Sequence, residues 1–480
     1  MKGQFGVSGK FGMKGAALSS ILLLAGCSAV GPDYNRPLEP DNLESQQPFA
    51  STRLQNPAAQ LLYPSEQPVD AWWLQLKDPV LTGLIEQSLQ ANTDLRVALA
   101  NLTAARALLR HQEIQFQPSV DLSAGAERTR SSAVSGQQTE TETISSASLG
   151  LAWELDVFGR VQRSVEAART NIERRQALSD DVKRIVIADV ASAYFDLRGA
   201  QERRRVVERN IGNQRETLDL TITLVREGIA SQLDSARARA QLTATQALLP
   251  VIVSDQNTAL NRLARLTGRV PGPLGGILQQ GDSLPVMPQF IAVGDALSLI
   301  RRRPDIREAE RALASLTAQI GVETADLYPT VNFIASVGVA ADNTSKLNDH
   351  SSMNYAVGPG IVWNLFNRGA IRALIAQTEA ETEAQLARFD GTVLLALEEV
   401  NSALMRHAQE RDRNLVLQES VAASFEAVGL VKLRYNAGVE SFLDVLEAER
   451  TLLDSERELT ASRIDFAQGT INLYRALGGV

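Results

Sequence analysis

Cysteine and histidine are scarce in this sequence of 480 residues, which contains one cysteine, Cys27, and three widely separated histidines, His111, His350 and His407. A single cysteine cannot form an internal disulfide. The histidines show no His-Glu-x-x-His pairing of a zinc site, and no cysteine remains to share a metal. Glycine-rich phosphate-binding loops and the Gly-x-Ser-x-Gly pattern of hydrolases are also absent. We therefore predict no catalytic residues, no metal site and no cofactor, and a protein that is not an enzyme.

The chain also lacks an excess of positive charge. Its formal net charge is −8, and a chain starting after residue 26 would lose Lys2, Lys10 and Lys14 and carry −11. Nucleic-acid binding requires a basic face, so this balance argues against it. The arginine triplets at residues 203–205 and 301–303 are interpreted as solvated helix surface and as a helix start.

Aromatic residues and long apolar runs are rare as well. Aromatics make up 5% of the chain, whereas Ala, Leu, Arg, Glu and Gln are plentiful, a composition typical of long helices and coiled coils. No run of about 18 apolar residues follows Cys27, so the chain has no candidate for a membrane-spanning helix. If this protein crosses a membrane, it must do so with strands.

The N-terminus has the pattern of a lipoprotein signal. Residues 1–26 combine lysines with a short apolar stretch, and Leu24-Ala25-Gly26-Cys27 resembles the bacterial lipoprotein cleavage site, where the cysteine thiol receives lipid. An ordinary signal peptide with a chance cysteine is the alternative. Residues 28–70 are rich in Pro, Gln, Ser and Asn, and we predict a lipid-anchored tether over residues 27–76.

The rest of the chain is an internal repeat. Gly438 follows Gly228 by 210 residues, and Asp444 follows Asp234 by the same interval. Apolar residues spaced by seven flank both glycines, which predicts two helical hairpins that fold at a glycine turn. We therefore divide the chain into repeat 1 (77–270), a Pro/Gly-rich connector (271–288) and repeat 2 (289–480).

Each repeat contains two stretches in which apolar residues alternate with small or polar ones. The pattern predicts strands at about 119–128 and 145–157, and again at about 330–341 and 354–365. Ten to twelve residues suit a tilted membrane strand, and Trp153, Tyr355 and Trp363 lie toward strand ends, as interfacial aromatics do. Four strands cannot close a barrel, but three copies supply twelve. A soluble, half-buried sheet is the alternative.

Proline-free segments after the strands predict helices from about Val161 to Arg226 and from Ile371 to Tyr435. At 1.5 Å per residue each would be roughly 100 Å long. Return helices are predicted from Ser231 to Leu266 and from Ser441 to Leu477. Their spacing of seven favours coiled-coil packing, with a solvated helical bundle as the alternative.

These features together resemble the TolC-like outer-membrane efflux proteins, and in particular the NodT-type lipoproteins of tripartite RND pumps. The resemblance rests on Cys27, the paired helix-strand-strand-helix units, Arg303-Pro304-Asp305, and the stretch from Tyr435-Asn436-Ala437-Gly438 to Leu443-Asp444-Val445-Leu446-Glu447. It implies a mainly helical homotrimer in which a transmembrane, twelve-stranded β-barrel continues into a twelve-helix periplasmic α-barrel. The implied partners are a periplasmic adaptor, an inner-membrane RND transporter and outer-membrane lipid.

The resemblance also implies site residues. Asp444 and Glu447 would form an acidic ring at the closed inner end, and Asp234 would pair with Tyr435 as a lock between the repeats. Gly228 and Gly438 would lie at the tips that contact the adaptor. Glu440 stands where some members carry a basic residue, so a salt-bridge version of the lock is in question here.

The spacing and charge of Asp444 and Glu447 support a charged constriction. Asp444 and Glu447 are three residues apart and so share a helix face, and threefold symmetry would gather six carboxylates near one axis and attract cations. The functional prediction is a gated exit duct for small toxic solutes in the bacterial outer membrane. A lipid-anchored periplasmic scaffold without a pore is the alternative, and a secreted hydrolase would need a site that the sequence does not offer.

Overall fold

The computed structural model describes residues 29–37, 70–130, 141–272, 278, 284–288 and 290–479. Cys27, the signal sequence 1–26 and most of the predicted tether lie outside the described residues. Most of the described chain is helical. Within these ranges, no helix is both long enough and apolar enough to span a membrane.

Nine α-helices are found in the described ranges. They are α1 (Pro79–Ala91), α2 (Thr93–Ile114), α3 (Arg160–Arg226), α4 (Gln232–Gln246), α5 (Leu249–Leu266), α6 (Ala296–Arg302), α7 (Pro304–Ala325), α8 (Arg368–Asn436) and α9 (Phe442–Ala476). A short 3₁₀ helix at Trp72–Leu76 precedes them. Helix starts follow the sequence chemistry: the side chain of Asp78 caps α1, and Pro79, which needs no backbone partner there, occupies the first turn.

One predicted helix is interrupted. The return helix expected from Ser231 to Leu266 is divided into α4 and α5 at Ala247 and Leu248. Pro250 explains the break, because proline has no N–H to donate and its ring clashes with the carbonyl four residues earlier, at Gln246. The corresponding return helix of the second half, α9, runs without a break from Phe442 to Ala476.

Four strands form one antiparallel sheet in the order of the chain: β1 (Ser119–Arg130), β2 (Thr141–Leu155), β3 (Thr330–Ala341) and β4 (Met353–Val362). Their register aligns the apolar rows across the sheet. Leu122 faces Leu149, Leu149 faces Val337, and Val337 faces Tyr355. These four side chains are between 46% and 79% exposed in the chain. One face of the sheet is therefore apolar and open.

The other face of the sheet is small and polar. Ser123 lies opposite Ser148, and their hydroxyl oxygens are 2.8 Å apart. Ser148 in turn pairs with Gly338, which pairs with Asn354. Strands β1 and β4 are the two edges, and neither has a second neighbouring strand among the described residues.

The chain divides into two compact units, of which the first contains the described part of Met1–Pro37 with Asn101–Arg175 and Glu308–Phe389. It holds the sheet and the helix segments beside it. Its N-terminal segment is fixed by Arg163, whose side chain is 5% exposed and contacts Asp33 at 2.7 Å and Glu166 at 2.8 Å. Arg163 also donates to the carbonyl oxygen of Val30. The described start of the tether is thus bound to α3 at Val30 and Asp33.

The second unit contains the described parts of Leu38–Ala100, Gln176–Arg307 and Asp390–Val480. Its core includes Trp72, whose ring stacks on Tyr474 at 4.9 Å. Arg303 is also buried there, at 2% exposed, and binds the carboxylates of Asp305 and Glu399. The interpretation of residues 301–303 as a helix start agrees with α7, which begins at Pro304 directly after Arg303. The burial of the Arg303 charge was not predicted, and two carboxylates compensate this charge inside the unit.

Candidate gate at the two helical turns

Two tight turns carry most of the predicted site residues, one between α3 and α4 and one between α8 and α9. Gly228 has φ +75° and Gly438 has φ +72°, and a Cβ atom at either position would meet nothing within 4 Å. Glycine is therefore required by the left-handed backbone and not by crowding.

Both turns have the hydrogen bonds of a Schellman motif. In the first, the N–H of Gly228 donates to Val225 at 3.1 Å and that of Ile229 to Leu224 at 2.9 Å. In the second, Gly438 donates to Tyr435 at 2.9 Å, and Val439 to Arg434 at 3.1 Å. The two predicted tips thus share one backbone geometry.

Asp234 and Asp444 both cap the helix that follows their turn. The Ser231 N–H and hydroxyl donate to Asp234 Oδ2 at 3.1 and 2.7 Å, and the Asp234 N–H donates back to the Ser231 hydroxyl. Ser441 and Asp444 form the same capping box. The Ser-x-x-Asp spacing was a readable signal for these caps. Both aspartates therefore have a structural role as members of capping boxes.

Tyr435 lies half-buried near the end of α8. Its ring contacts that of Phe442 at a centroid distance of 5.6 Å and packs against a small core of Ala238, Phe442 and Val445. Burial, and the nearby carboxylate of Asp234, raise the pKa of the Tyr435 phenol. The structure thus brings Asp234 close to Tyr435.

The predicted hydrogen bond between Asp234 and Tyr435 is not formed within the described part of this chain. Asp234 Oδ2 is bound by Ser231 instead, and Asp234 Oδ1 lies 4.0 Å from Arg237. Glu440, which occupies the position questioned for a salt-bridge lock, forms a 2.7 Å ion pair with Arg434 of its own turn. The Glu440 carboxylate is thus partnered within its own turn.

Asp444 and Glu447 are exposed on the first turns of α9. Because they are three residues apart, both carboxylates lie on one side of the helix. Glu447 has no hydrogen-bond or ion-pair partner among the described residues. Nothing in the described chain neutralises this pair, so it presents an acidic surface at the turn.

Sequence reasoning missed the apolar side chains at the same turns. Ile229 and Val439, which follow the two glycines, are 74% and 65% exposed, and Leu233 and Leu443 are 56% and 53% exposed. The signal was available, since an apolar residue follows each of the two glycines and Leu233 recurs 210 positions later as Leu443. Exposed apolar groups at a tip indicate a contact surface.

The described ranges contain no group of three His, Cys, Asp or Glu residues arranged to hold a metal ion. The buried histidine, His407, is 2.9 Å from the hydroxyl of Thr470 and lies against Phe466. It joins α8 to α9 as part of the packing.

Comparison with known proteins gives consistent relatives. Nodulation protein T of Rhizobium leguminosarum bv. trifolii is 29% identical over 463 residues, 95% of each chain. A Pseudomonas putida protein named as a probable efflux pump outer membrane protein, TtgC, is 29% identical over 468 residues, covering 95% of this chain and 93% of that protein.

A solved structure of the outer-membrane channel OprN has a TM-score of 0.86 to this chain at 34% identity, covering 94% of this chain and 99% of that one. Its likeness extends over the helices and the sheet together. A family model for outer membrane efflux proteins matches residues 84–269 and 297–479, and the chain therefore belongs to the outer membrane efflux protein family.

Proposed function

We propose that this protein is the outer-membrane channel of a tripartite efflux system, a passive duct through which drugs or other small toxic solutes leave the periplasm. The observation that carries the proposal is the family match, which extends over both halves of the chain. The protein has the role of a conduit and not of an enzyme. Its partners are a periplasmic adaptor and an inner-membrane RND transporter.

The sheet supports the membrane-spanning part of the proposal. Strands β1 and β4 leave their outer edges unpaired within the described chain, and an open edge is not tolerated in lipid. Pairing β4 of one copy with β1 of the next removes both edges, and three copies give a twelve-stranded barrel. The apolar row through Leu122, Leu149, Val337 and Tyr355 would face lipid, and the serine-rich face would line the lumen.

The helices support the periplasmic part. Helix α4 begins 210 residues before α9 begins, and α3 ends 210 residues before α8 ends. Two repeats of one unit require this constant offset. Helix α8 also carries large exposed apolar side chains along its length, including Leu394, Leu415, Val416, Phe425 and Leu433. Neighbouring copies would cover them in a twelve-helix α-barrel.

The N-terminus supplies a second membrane attachment in this proposal. Cys27 would carry a thioether-linked diacylglycerol and an amide-linked acyl chain after cleavage at Gly26. Mass spectrometry of the mature N-terminus tests this, and an unmodified or uncut chain contradicts it. Because the strands would span the membrane, we expect Cys27→Ala with an ordinary signal peptide to assemble still.

The two turns form the periplasmic gate in this proposal. Asp234 and Tyr435 would hold the tips closed, and Asp444 and Glu447 would form the charged constriction. Gly228 and Gly438, with the exposed Ile229 and Val439, would contact the adaptor. An adaptor that binds the open state more tightly would then open the duct by shifting the population.

A lipid-anchored periplasmic scaffold without a pore is the competing function. The two differ in a simple gel experiment, because a closed barrel resists SDS without heating and migrates as a compact trimer. Native mass spectrometry from mild detergent gives the copy number, and a monomer or dimer contradicts the proposed assembly.

Function itself is tested by solute accumulation in cells. Deleting the gene should raise ethidium accumulation severalfold, and the wild-type gene supplied in trans should restore the original level. A lipidation-competent Gly338→Arg variant serves as the control and should not restore it, because a Cβ at this position would lie 2.7 Å from the carbonyl oxygen of Ala147 and disrupt the sheet. Unchanged accumulation of ethidium and of a panel of antibiotics after deletion would contradict an efflux role.

A further inference from the structure

A stripe of buried polar side chains runs along α3 toward its turn. Asn210, Gln214, Thr217 and Thr221 are 4%, 3%, 8% and 0% exposed. Their spacing of four, three and four residues places them on one side of the helix. Polar groups are costly in such positions unless they are bonded, so the stripe requires partners.

Two glutamates of α9 provide partners for Asn210 and Thr217, and the Thr221 hydroxyl donates to the carbonyl oxygen of Thr217. Glu456 accepts hydrogen bonds from Asn210 at 2.6 Å and from Arg209 at 2.7 Å. Glu449, seven residues earlier, accepts from the Thr217 hydroxyl at 2.7 Å. The residues Asn210, Thr217, Glu449 and Glu456 are called the polar seam below. The seam fixes the register of α9 against α3, as single polar residues do in coiled coils.

Glu449 also binds a third helix, α8, to the polar seam. Its side chain is 6% exposed, and its Oε1 lies 2.7 Å from Nζ of Lys432 on α8. One carboxylate therefore binds α3 through Thr217 and α8 through Lys432. A buried carboxylate that loses its cation is strongly destabilised, so these helices cannot separate at Glu449 without a large change in its solvation.

The connection from Glu449 to the turn is short. Lys432 is three residues from Tyr435 on the same side of α8, and the Tyr435 ring packs on Phe442. Between these layers is a cavity of about 200 Å³ whose lining includes Thr217, Lys432, Tyr435 and Phe442. The layer between Glu449 and the Tyr435–Phe442 contact is therefore loosely packed, and Glu449 is the polar restraint next to it.

The restraint is also incompletely satisfied. Among the described residues, both amide atoms of Gln214 and Glu449 Oε2 are buried without a hydrogen-bond partner. Such groups raise the free energy of the closed packing. When the tip opens, water reaches these groups and the cost is removed. The contacts of the polar seam can therefore break and form again.

We propose that Glu449 is a positioning residue of the gate: with Thr217 and Lys432 it holds α9 against α3 and α8, and the tip opens when these contacts break. This inference rests on the proposed gated duct. The corresponding position of the first half, 210 residues earlier, is the exposed Arg239. The restraint therefore acts on the α9 hairpin alone.

Purified full-length protein in planar bilayers tests the proposal. Glu449→Gln and Lys432→Met should each raise the open probability by about tenfold, the effect of losing one charge-assisted contact, and Thr217→Val should raise it by a smaller factor. Gln214→Leu, which removes the unpaired amide, should lower it. Arg239→Gln is the matched control and should have no effect. The double variant Lys432→Met with Glu449→Gln should raise the open probability by less than the two single effects combined. In the double variant no charge is left buried without a partner.

Each variant is first checked for an SDS-resistant assembly and for wild-type helix content, so that misfolding is recognised. If Tyr435→Phe with Asp234→Ala opens the channel while Glu449→Gln, Lys432→Met and Thr217→Val do not, the role of Glu449 is overturned and the duct stands. If no assembled protein conducts, including the Tyr435 variant, the proposed function fails as well.

Discussion

The guanidinium of Arg303 donates a 3.0 Å hydrogen bond to the carbonyl oxygen of Ala476, in the last turn of α9. The same side chain binds Asp305 at 2.6 Å and Glu399 at 2.7 Å. Arg184 donates in a similar way to the carbonyl oxygen of Arg475. Two buried arginines thus bind carbonyl groups at the C-terminal end of α9. They join α3, the start of α7, α8 and α9 within the second unit.

Arg303→Met should lower the free energy of unfolding by about 3–5 kcal/mol, because it leaves the carboxylates of Asp305 and Glu399 without their cation. Arg303→Lys should recover only part of the loss, since an ammonium cannot reproduce the planar fork. Arg301→Met, on the exposed side of the same triplet, is the control. Denaturant titration followed by circular dichroism measures all three. Equal midpoints for Arg303→Met and Arg301→Met would contradict this role.

Leu151→Arg should destabilise the membrane part by about 2–4 kcal/mol if Leu151 lies near the bilayer midplane. Its row, from Val120 through Ala335 to Val357, is apolar. Asn332→Arg places the same side chain on the opposite face, beside Glu154, and should be tolerated. Urea unfolding in lipid vesicles measures the difference. Equal losses for the two variants would show that neither face contacts lipid.

Tyr435→Phe combined with Asp234→Ala should raise single-channel conductance, because the pair would hold the gate closed in the assembly. Asp234→Ala also breaks the capping box of α4, in which Ser231 is the N-cap, and loss of an N-cap costs about 0.5–2 kcal/mol. Ser231→Ala is therefore the control, since it breaks the same cap and leaves the Asp234 carboxylate near Tyr435. An equal rise in Ser231→Ala would assign the effect to the cap and not to the Asp234–Tyr435 pair.

Asp444→Asn combined with Glu447→Gln should weaken both cation selectivity and block by multivalent cations, because it removes the proposed ring of carboxylates. Glu440→Gln is the matched control, since that carboxylate is already paired with Arg434. Reversal potentials in a salt gradient and block by trivalent cobalt hexammine measure the two effects. Unchanged reversal potentials and block in the double variant would show that Asp444 and Glu447 do not form the constriction.

Because His407 is buried in its neutral form, the free energy of unfolding should fall as the pH is lowered. Burial, and to a smaller degree the positive charge of Arg411, lower its pKa to about 4. Because this folded-state pKa is below the unfolded value of about 6.5, the unfolded chain binds the proton first as the pH falls. The contribution of neutral His407 is complete above about pH 6.5, and about 3 kcal/mol of it is lost on going down to about pH 4.

His407→Gln should lack this component, so its free energy of unfolding should fall less than that of the wild type between pH 6.5 and pH 4. His350→Gln, on an exposed segment, should behave like the wild type. Thermal unfolding at a series of pH values provides the comparison. Parallel curves for wild type and His407→Gln would show that His407 is not buried in its neutral form.

Sequence periodicity predicted elements whose pattern is local. The alternation of Leu149 and Leu151 with small residues indicated a strand, and glycines 210 residues apart indicated matching turns. The contacts of Arg303 were hidden, because its partners Glu399 and Ala476 are distant in sequence and no local pattern reports that a charge will be buried. The break at Pro250 was visible in the sequence, yet heptad spacing favoured an unbroken helix.

The polar seam was missed for a different reason. Val445, Leu452 and Leu459 keep a spacing of seven that predicts an apolar seam, and the glutamates between them, Glu449 and Glu456, look like solvated positions. The structure buries Glu449 where Thr217 and Lys432 both bind its Oε1 atom. Whether a charge at a seam position is buried depends on the facing helix, which the spacing of one helix does not contain.

Single-channel recording in planar bilayers tests the central claim, a gated duct, most directly. The account predicts that SDS-resistant wild-type assemblies insert and conduct in small, uniform steps, and that Tyr435→Phe with Asp234→Ala gives larger steps from assemblies of the same stability. Correctly folded assemblies that insert into the bilayer, yet leave it without conductance in both the wild type and the double variant, would contradict it.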